Sequence, residues 1–120
     1  MANAKMLKVD PARPIELNVV ARSPHVLVYR LWHREPDGQW KIAGTGSTDD
    51  NAADFYSVGP FPKGTTIAYL FRFGGNERTR FLGILTVAQG GEVVDGGTFV
   101  ETRLTDDDGL AQVVGSFELA

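Results

Sequence analysis

Cysteine is absent from the 120 residues, which excludes disulfides, thiolate metal centres and a cysteine nucleophile together. Also missing is any apolar run approaching the length of a membrane span, and residues 1–10 lack the apolar core of a signal peptide. A soluble cytoplasmic protein is therefore the default expectation, with leaderless export or a removed leader as alternatives, and no membrane partner is expected. Clustered positive charge is lacking too: twelve Lys and Arg are scattered against fifteen Asp and Glu, for a net charge of −3. Phosphate backbones are gripped by clustered cations, so this balance argues against nucleic acid. Histidine is scarce, with only His25 and His33 as imidazole bases and no Gly-x-Ser-x-Gly elbow to activate a serine. Gly44-Thr-Gly-Ser-Thr48 resembles a phosphate loop only superficially, because the lysine and the following helix are both missing. A small enzyme of unknown class is thus the third-ranked reading, behind two kinds of binding module.

Absent as well is any sustained 3.6-residue hydrophobic period, any internal repeat and any low-complexity tract. Two-residue alternation is present instead. Between a Gly/Pro-rich corner and a Gly-Gly turn, Thr66 to Phe73 places Ile67, Tyr69, Phe71 and Phe73 on one face of a pleated strand. Ile15, Leu17, Val19 and Ala21 alternate in the same way, as do Leu27, Tyr29, Leu31 and His33 in the stretch from His25 to Arg34. Further strands are expected over Gln39 to Thr48, Asp54 to Val58, Thr79 to Ala88 and Thr98 to Leu104. A final strand turns Ala111, Val113, Gly115, Phe117 and Leu119 inward. The predicted fold is all-β, a single antiparallel β-sandwich of roughly seven to nine strands occupying residues 14–120, with residues 1–13 as an N-terminal arm or edge strand.

Gly59-Pro-Phe-Pro-Lys-Gly64, then Ile67-Ala-Tyr-Leu-Phe71, then Gly74-Gly-Asn76 resembles the corner, Tyr-x-Phe strand and glycine turn of immunoglobulin-like early-set sandwiches, which include starch- and glycogen-binding modules. The resemblance implies an immunoglobulin-like arrangement of strands. In carbohydrate-binding members, paired tryptophans and a Lys or Asn grip the sugar. Here no tryptophan follows the glycine turn, so that site does not carry over.

Two groups of residues are the candidates for function. Pro36 cannot adopt the positive φ of a type I′ turn, so Glu35-Pro-Asp-Gly38 predicts a type I turn with Gly38 in a left-handed bulge, pairing Glu35 with Gln39. That register sets Trp40 opposite Arg34 and Trp32 opposite Ile42, making the tryptophans diagonal neighbours on one face. Buried, they are core, which is the expected reading. Exposed, Trp32 and Trp40 with Arg30 and Tyr56 form a platform for a protein partner or a sugar ring. Gly44 and Gly46 in the same segment predict a bulge or the close approach of another backbone.

The second group is acidic: Asp49 and Asp50 in one loop, and Asp106, Asp107 and Asp108 in another. If consecutive strands simply reverse, both loops fall at the same end of the sandwich, where several oxygen ligands could gather a calcium ion; otherwise no cofactor is expected. The competing reading is a pair of solvated turns. The count depends on Asp95-Gly-Gly97 being a bulge rather than a hairpin turn. The leading expectation is a non-enzymatic binding or assembly module acting through protein-protein contacts, including self-association through edge strands. A lectin-like carbohydrate-binding module, calcium-assisted or not, is the alternative.

Overall fold

The fold was obtained as a computed structural model, which describes residues 5–22, 26–48 and 53–120. Those residues form nine strands and no helix: β1 (Lys5–Leu7), β2 (Ile15–Ala21), β3 (Val26–Arg34), β4 (Lys41–Thr48), β5 (Ala53–Val58), β6 (Thr66–Gly74), β7 (Arg80–Gln89), β8 (Glu92–Leu104) and β9 (Leu110–Leu119). They make two sheets, one of five strands in the order β1-β9-β6-β3-β4 and one of four in the order β5-β2-β7-β8. The all-β sandwich expected from two-residue alternation is what forms. Its ladders are antiparallel apart from the one that joins β1 to β9, where Leu7 lies beside Leu119.

Alternation decides what is buried. Ile67, Tyr69, Phe71 and Phe73 of β6 enter the core, as do Leu17 and Val19 of β2, Leu27, Tyr29 and Leu31 of β3, Phe81, Leu85 and Val87 of β7, and Phe117 and Leu119 of β9. Two ring stacks bind the sheets face to face: Phe73 on Phe81 at 3.9 Å between centroids, and Phe99 on Phe117 at 4.8 Å. Gly83 makes room for the first of these, since a Cβ there would lie 2.7 Å from Phe73 Cζ. The Gly/Pro corner before β6 is pinned by Gly64 N–H donating to Leu119 O (2.7 Å) and by the buried Thr65, whose hydroxyl donates to Pro62 O (2.7 Å). It contains a cis Gly59–Pro60 bond, and Gly59 and Gly64 both take positive φ.

Two irregularities set the details. In β4 the pairing steps from Trp32–Ile42 to Leu31–Gly44, so Ala43 is an extra residue. This bulge changes the parity of everything beyond it: Gly44 and Gly46 turn inward, and Thr45 turns out. The expected close approach is therefore real, but it comes from side chains rather than backbone, the rings of Tyr56 and Tyr29. In β8 the pairing steps from Ala88–Val93 to Thr86–Thr98, so Asp95-Gly-Gly97 lies within a bulge and not in a hairpin turn. The Glu35–Gly38 turn is closed by Gly38 N–H to Glu35 O (2.9 Å). The left-handed conformation expected of Gly38 is not adopted, although Trp32 pairs with Ile42 in the expected register; Ala43 is a further extra residue beyond that pair.

Candidate functional site

The outward residues of β3, β4 and β6 form the surface that concerns function. Register places them in rows: Ile42 beside Trp32 beside Ala68, Thr45 beside Arg30 beside Leu70, and Ser47 beside Val28 beside Arg72. Strand β9 extends the rows with Ser116, Val114 and Gln112. Trp32 and Trp40 are therefore outer-face residues and not core: Trp40 is 46% exposed and Trp32 is half-buried. The reason lies in parity, since Leu31 and His33 on either side of Trp32 take the inward direction and the bulge at Ala43 keeps Ile42 outward beside it.

The two tryptophans and Ala68 line an open hollow of about 360 Å³. Each indole is covered on one side by a guanidinium. Arg30 lies 5.8 Å from the Trp32 ring centroid and Arg34 lies 4.9 Å from that of Trp40, within cation–π range. A smaller hollow of about 90 Å³ follows along the face between Arg30, Leu70 and Arg72, and another of about 360 Å³ lies beyond it between Arg72, Asp106, Leu110 and Gln112. Together the three make a discontinuous trough running the length of the five-stranded sheet. Val28 and Leu110 line it, and exposed Ile42 and Val114 stand in the adjoining rows, the last at 69%.

Electrostatically the face stands apart from the rest of the chain. Strands β3 and β6 place Arg30, Arg34 and Arg72 on this face and, with β4, contain not one Asp or Glu, in a protein whose net charge is −3; the carboxylate that β9 adds is Glu118, in the row of Thr66 and Arg34. Arg72 is steadied by donating from Nε to Gln112 Oε1 (3.1 Å).

Tyr56 does not join this platform. It belongs to β5 of the opposite sheet and points inward, where its ring lies over Gly44 and its hydroxyl donates to Thr45 O (3.1 Å). Its oxygen is also 2.6 Å from the hydroxyl of Tyr29, which in turn donates to Asp54 Oδ2 at 2.5 Å. Burial, and then the hydrogen bonds to Asp54 and Tyr56, push the Tyr29 phenol above its ordinary range. A matching arrangement occupies the far edge of the sandwich: Tyr69, opposite Gly115 on β9, donates to Glu101 Oε2 (2.9 Å), and burial with that bond raises its pKa too. In both places a tyrosine from one sheet crosses to a carboxylate from the other over a glycine that leaves space for the ring. These are clasps between the sheets, and the sequence reading missed them because nothing local links Tyr29 to Asp54 or Tyr69 to Glu101.

The acidic candidates separate. Asp49 and Asp50 lie outside the described residues. Asp106 to Asp108 do fall at the end of the sandwich reached by counting reversals, next to the β6–β7 turn: Gly75 N–H donates to Gly109 O (3.0 Å) and Arg78 N–H to Asp106 O (3.1 Å). The Asp106 and Asp107 carboxylates are engaged otherwise than in a ligand cage. Asp106 Oδ1 accepts from the Asp108 and Leu110 N–H groups, both at 2.9 Å, and Asp107 Oδ1 accepts from Arg78 Nε at 2.5 Å. Among the described residues no three acidic or histidine side chains converge as metal ligands do. His33 lies against Phe61 with the rings tilted and their centroids 4.7 Å apart and with its Nδ1 unpaired, while His25 lies outside the described residues.

No family model matches the chain. Neither the curated proteins nor the solved structures yield a match. The functional reading therefore rests on the chain's own geometry. Among the described residues no helix is long and apolar enough to cross a membrane.

Proposed function

We propose that this protein is a binding module whose docking surface is the outer face of the five-stranded sheet, and that its partner is a protein segment carrying carboxylates between apolar side chains. The observation that carries the reading is the coincidence on one face of exposed Trp40, Ile42, Val28 and Val114 with Arg30, Arg34 and Arg72, against the single carboxylate of Glu118 on β9. Tryptophan and arginine are the residues that dominate protein-protein binding energy when desolvated at the centre of an interface. The cations supply charge complementarity to an acidic segment, which sets specificity and on-rate. A trough interrupted along its length suits an extended or helical segment better than a compact ligand.

A sugar is the second reading, favoured by the indole pair and its hollow. Against it, sugar hydroxyls need a dense set of polar partners, and besides the two guanidiniums over the rings the register neighbours of Trp32 are the aliphatic Ile42 and Ala68.

The deciding experiment is selection from a displayed library of peptides rich in Asp, Glu, Leu and Trp, counter-selected on the Arg30→Glu/Arg72→Glu variant. Enriched peptides should bind with an affinity that falls as salt is raised and drops at least about tenfold in Trp32→Ala and Trp40→Ala, the loss of one hot-spot side chain. Failure to enrich any peptide over the charge-reversed control would overturn the reading. Glycan binding lost in the same two tryptophan variants would establish the sugar alternative in its place.

A further inference from the structure

The second outer surface, on the four-stranded sheet, has the opposite character. Its rows run Ala53, Val20, Ile84, Val100 and, one step along, Phe55, Asn18, Thr86, Thr98. No charge interrupts either row; Glu16 stands at one end of the face and Arg22 and Arg80 toward the other, and the Glu16 carboxylate already accepts from Gly91 N–H at 2.9 Å. Phe55 is 58% exposed and Val100 53% exposed.

We propose that this protein pairs with a second copy of itself through the outer face of the four-stranded sheet. In an isologous contact each residue near the two-fold axis meets its own counterpart, so any charge there meets a like charge. The opposite face, with Arg30, Arg34 and Arg72 against the single Glu118, carries an excess of one sign that repels its own copy and needs a different partner. A face of Val, Ile, Thr and Asn is compatible with itself: the aliphatic groups interdigitate, and the threonine and asparagine side chains, each both donor and acceptor, can bond their counterparts. Depletion of charge at the centre is also what marks homodimer interfaces off from ordinary surface.

The area suffices. Four strands about 4.8 Å apart, with β2 seven residues and β7 ten residues long at about 3.3 Å each, make a plate of roughly 500 Å² in projection. The corrugation of side chains raises its accessible area toward the roughly 800 Å² per partner of a standard interface. Sheets stacked in this way lie about 10 Å apart, the spacing found within the sandwich itself.

Edge pairing, the other route to self-association, is discouraged at three of the four edges. Strand β1 is three residues long, β4 is bulged at Ala43 and carries Lys41, and β8 is bulged at Asp95-Gly-Gly97.

Sedimentation equilibrium from micromolar to millimolar protein tests the pairing. The mass is expected to rise from 13.1 kDa to twice that value with concentration. Thr86→Lys and Val100→Lys, each checked for an unchanged far-ultraviolet spectrum, are expected to weaken the dimer at least about 100-fold, while Val114→Lys on the five-stranded face leaves it unchanged. If either lysine variant fails to fold, the wild-type amide spectrum on dilution provides the readout, with shifts expected at Asn18, Thr86, Thr98 and Val100. A monomer across the whole range, a dimer that survives both lysine variants, one dissociated by Val114→Lys, or dilution shifts confined to other strands would each overturn the proposal. A dimer dissociated by Val114→Lys would move the contact to the opposite face; the other outcomes leave peptide binding by that face untouched, so the two proposals fail separately.

Discussion

Glycine opposite tyrosine is a recurring device at the level of single residues. Gly46 sits across from Tyr29 and Gly115 across from Tyr69, and each ring fills the space that a Cβ would take. Gly115→Ala would drive its methyl into the Tyr69 ring, which is held in place by Glu101 and has nowhere to move. A loss of about 2 kcal/mol or more is expected, at the upper end of overpacking costs, measured by urea denaturation. The same tyrosines set the alkaline limit of stability. Their folded pKa values are raised, so the folded protein keeps two protons that the unfolded chain releases above about pH 10. Stability from this source is complete below that pH and falls as pH rises beyond it, by about 1.4 kcal/mol per pH unit for each tyrosine. Denaturant midpoints measured between pH 9 and 11 should show this limb, and the Tyr29→Phe/Tyr69→Phe variant should flatten it even though its stability near neutrality is lower.

Strand β4 shows how one added residue fixes an element's two faces. Because Ala43 is accommodated in a bulge, Gly44 faces inward under Tyr56 while Ile42 stays outward beside Trp32. Deleting Ala43 would restore a regular ladder with every other residue on its present face. The expected cost is about 1 kcal/mol, that of an ordinary point change. Deleting Thr45 instead would turn Gly46 out and force Ser47 toward Tyr29, so a far larger loss, or failure to fold, is expected. Thermal melts of the two deletion variants distinguish these outcomes. The β8 bulge works differently: it lets the long edge strand bend toward β1, where Lys5 reaches over the Phe99 ring at 4.6 Å.

For the molecule as a whole, the two sheets divide the labour by charge. The five-stranded face is apolar with an excess of cations, and the four-stranded face is uncharged across its two central rows. Pairing through the uncharged face would leave two cationic faces pointing away from each other. Such a dimer should bind a surface crowded with acidic segments far more tightly than it binds one segment in solution, through effective concentration. Surface plasmon resonance at high and low peptide density, with Thr86→Lys as the monomeric control, should show slow dissociation only for the wild type on the dense surface.

Much of this was legible in the chain. Two-residue alternation around β2, β6, β7 and β9 determined an all-β fold and the membership of its core, because burying one face of a pleated sheet requires that period. The pairing of Trp32 with Ile42 followed from the impossibility of a type I′ turn at Pro36. Tertiary structure alone decided which face of β3 was covered, since both carry large apolar side chains and only the packing of the second sheet selects Leu27, Tyr29 and Leu31 over Val28 and Trp32. It also decided the fate of Tyr56, whose partners Tyr29 and Thr45 come from strands of the opposite sheet. Local sequence sets the period of a strand; the direction each phase faces depends on contacts between residues far apart in the chain.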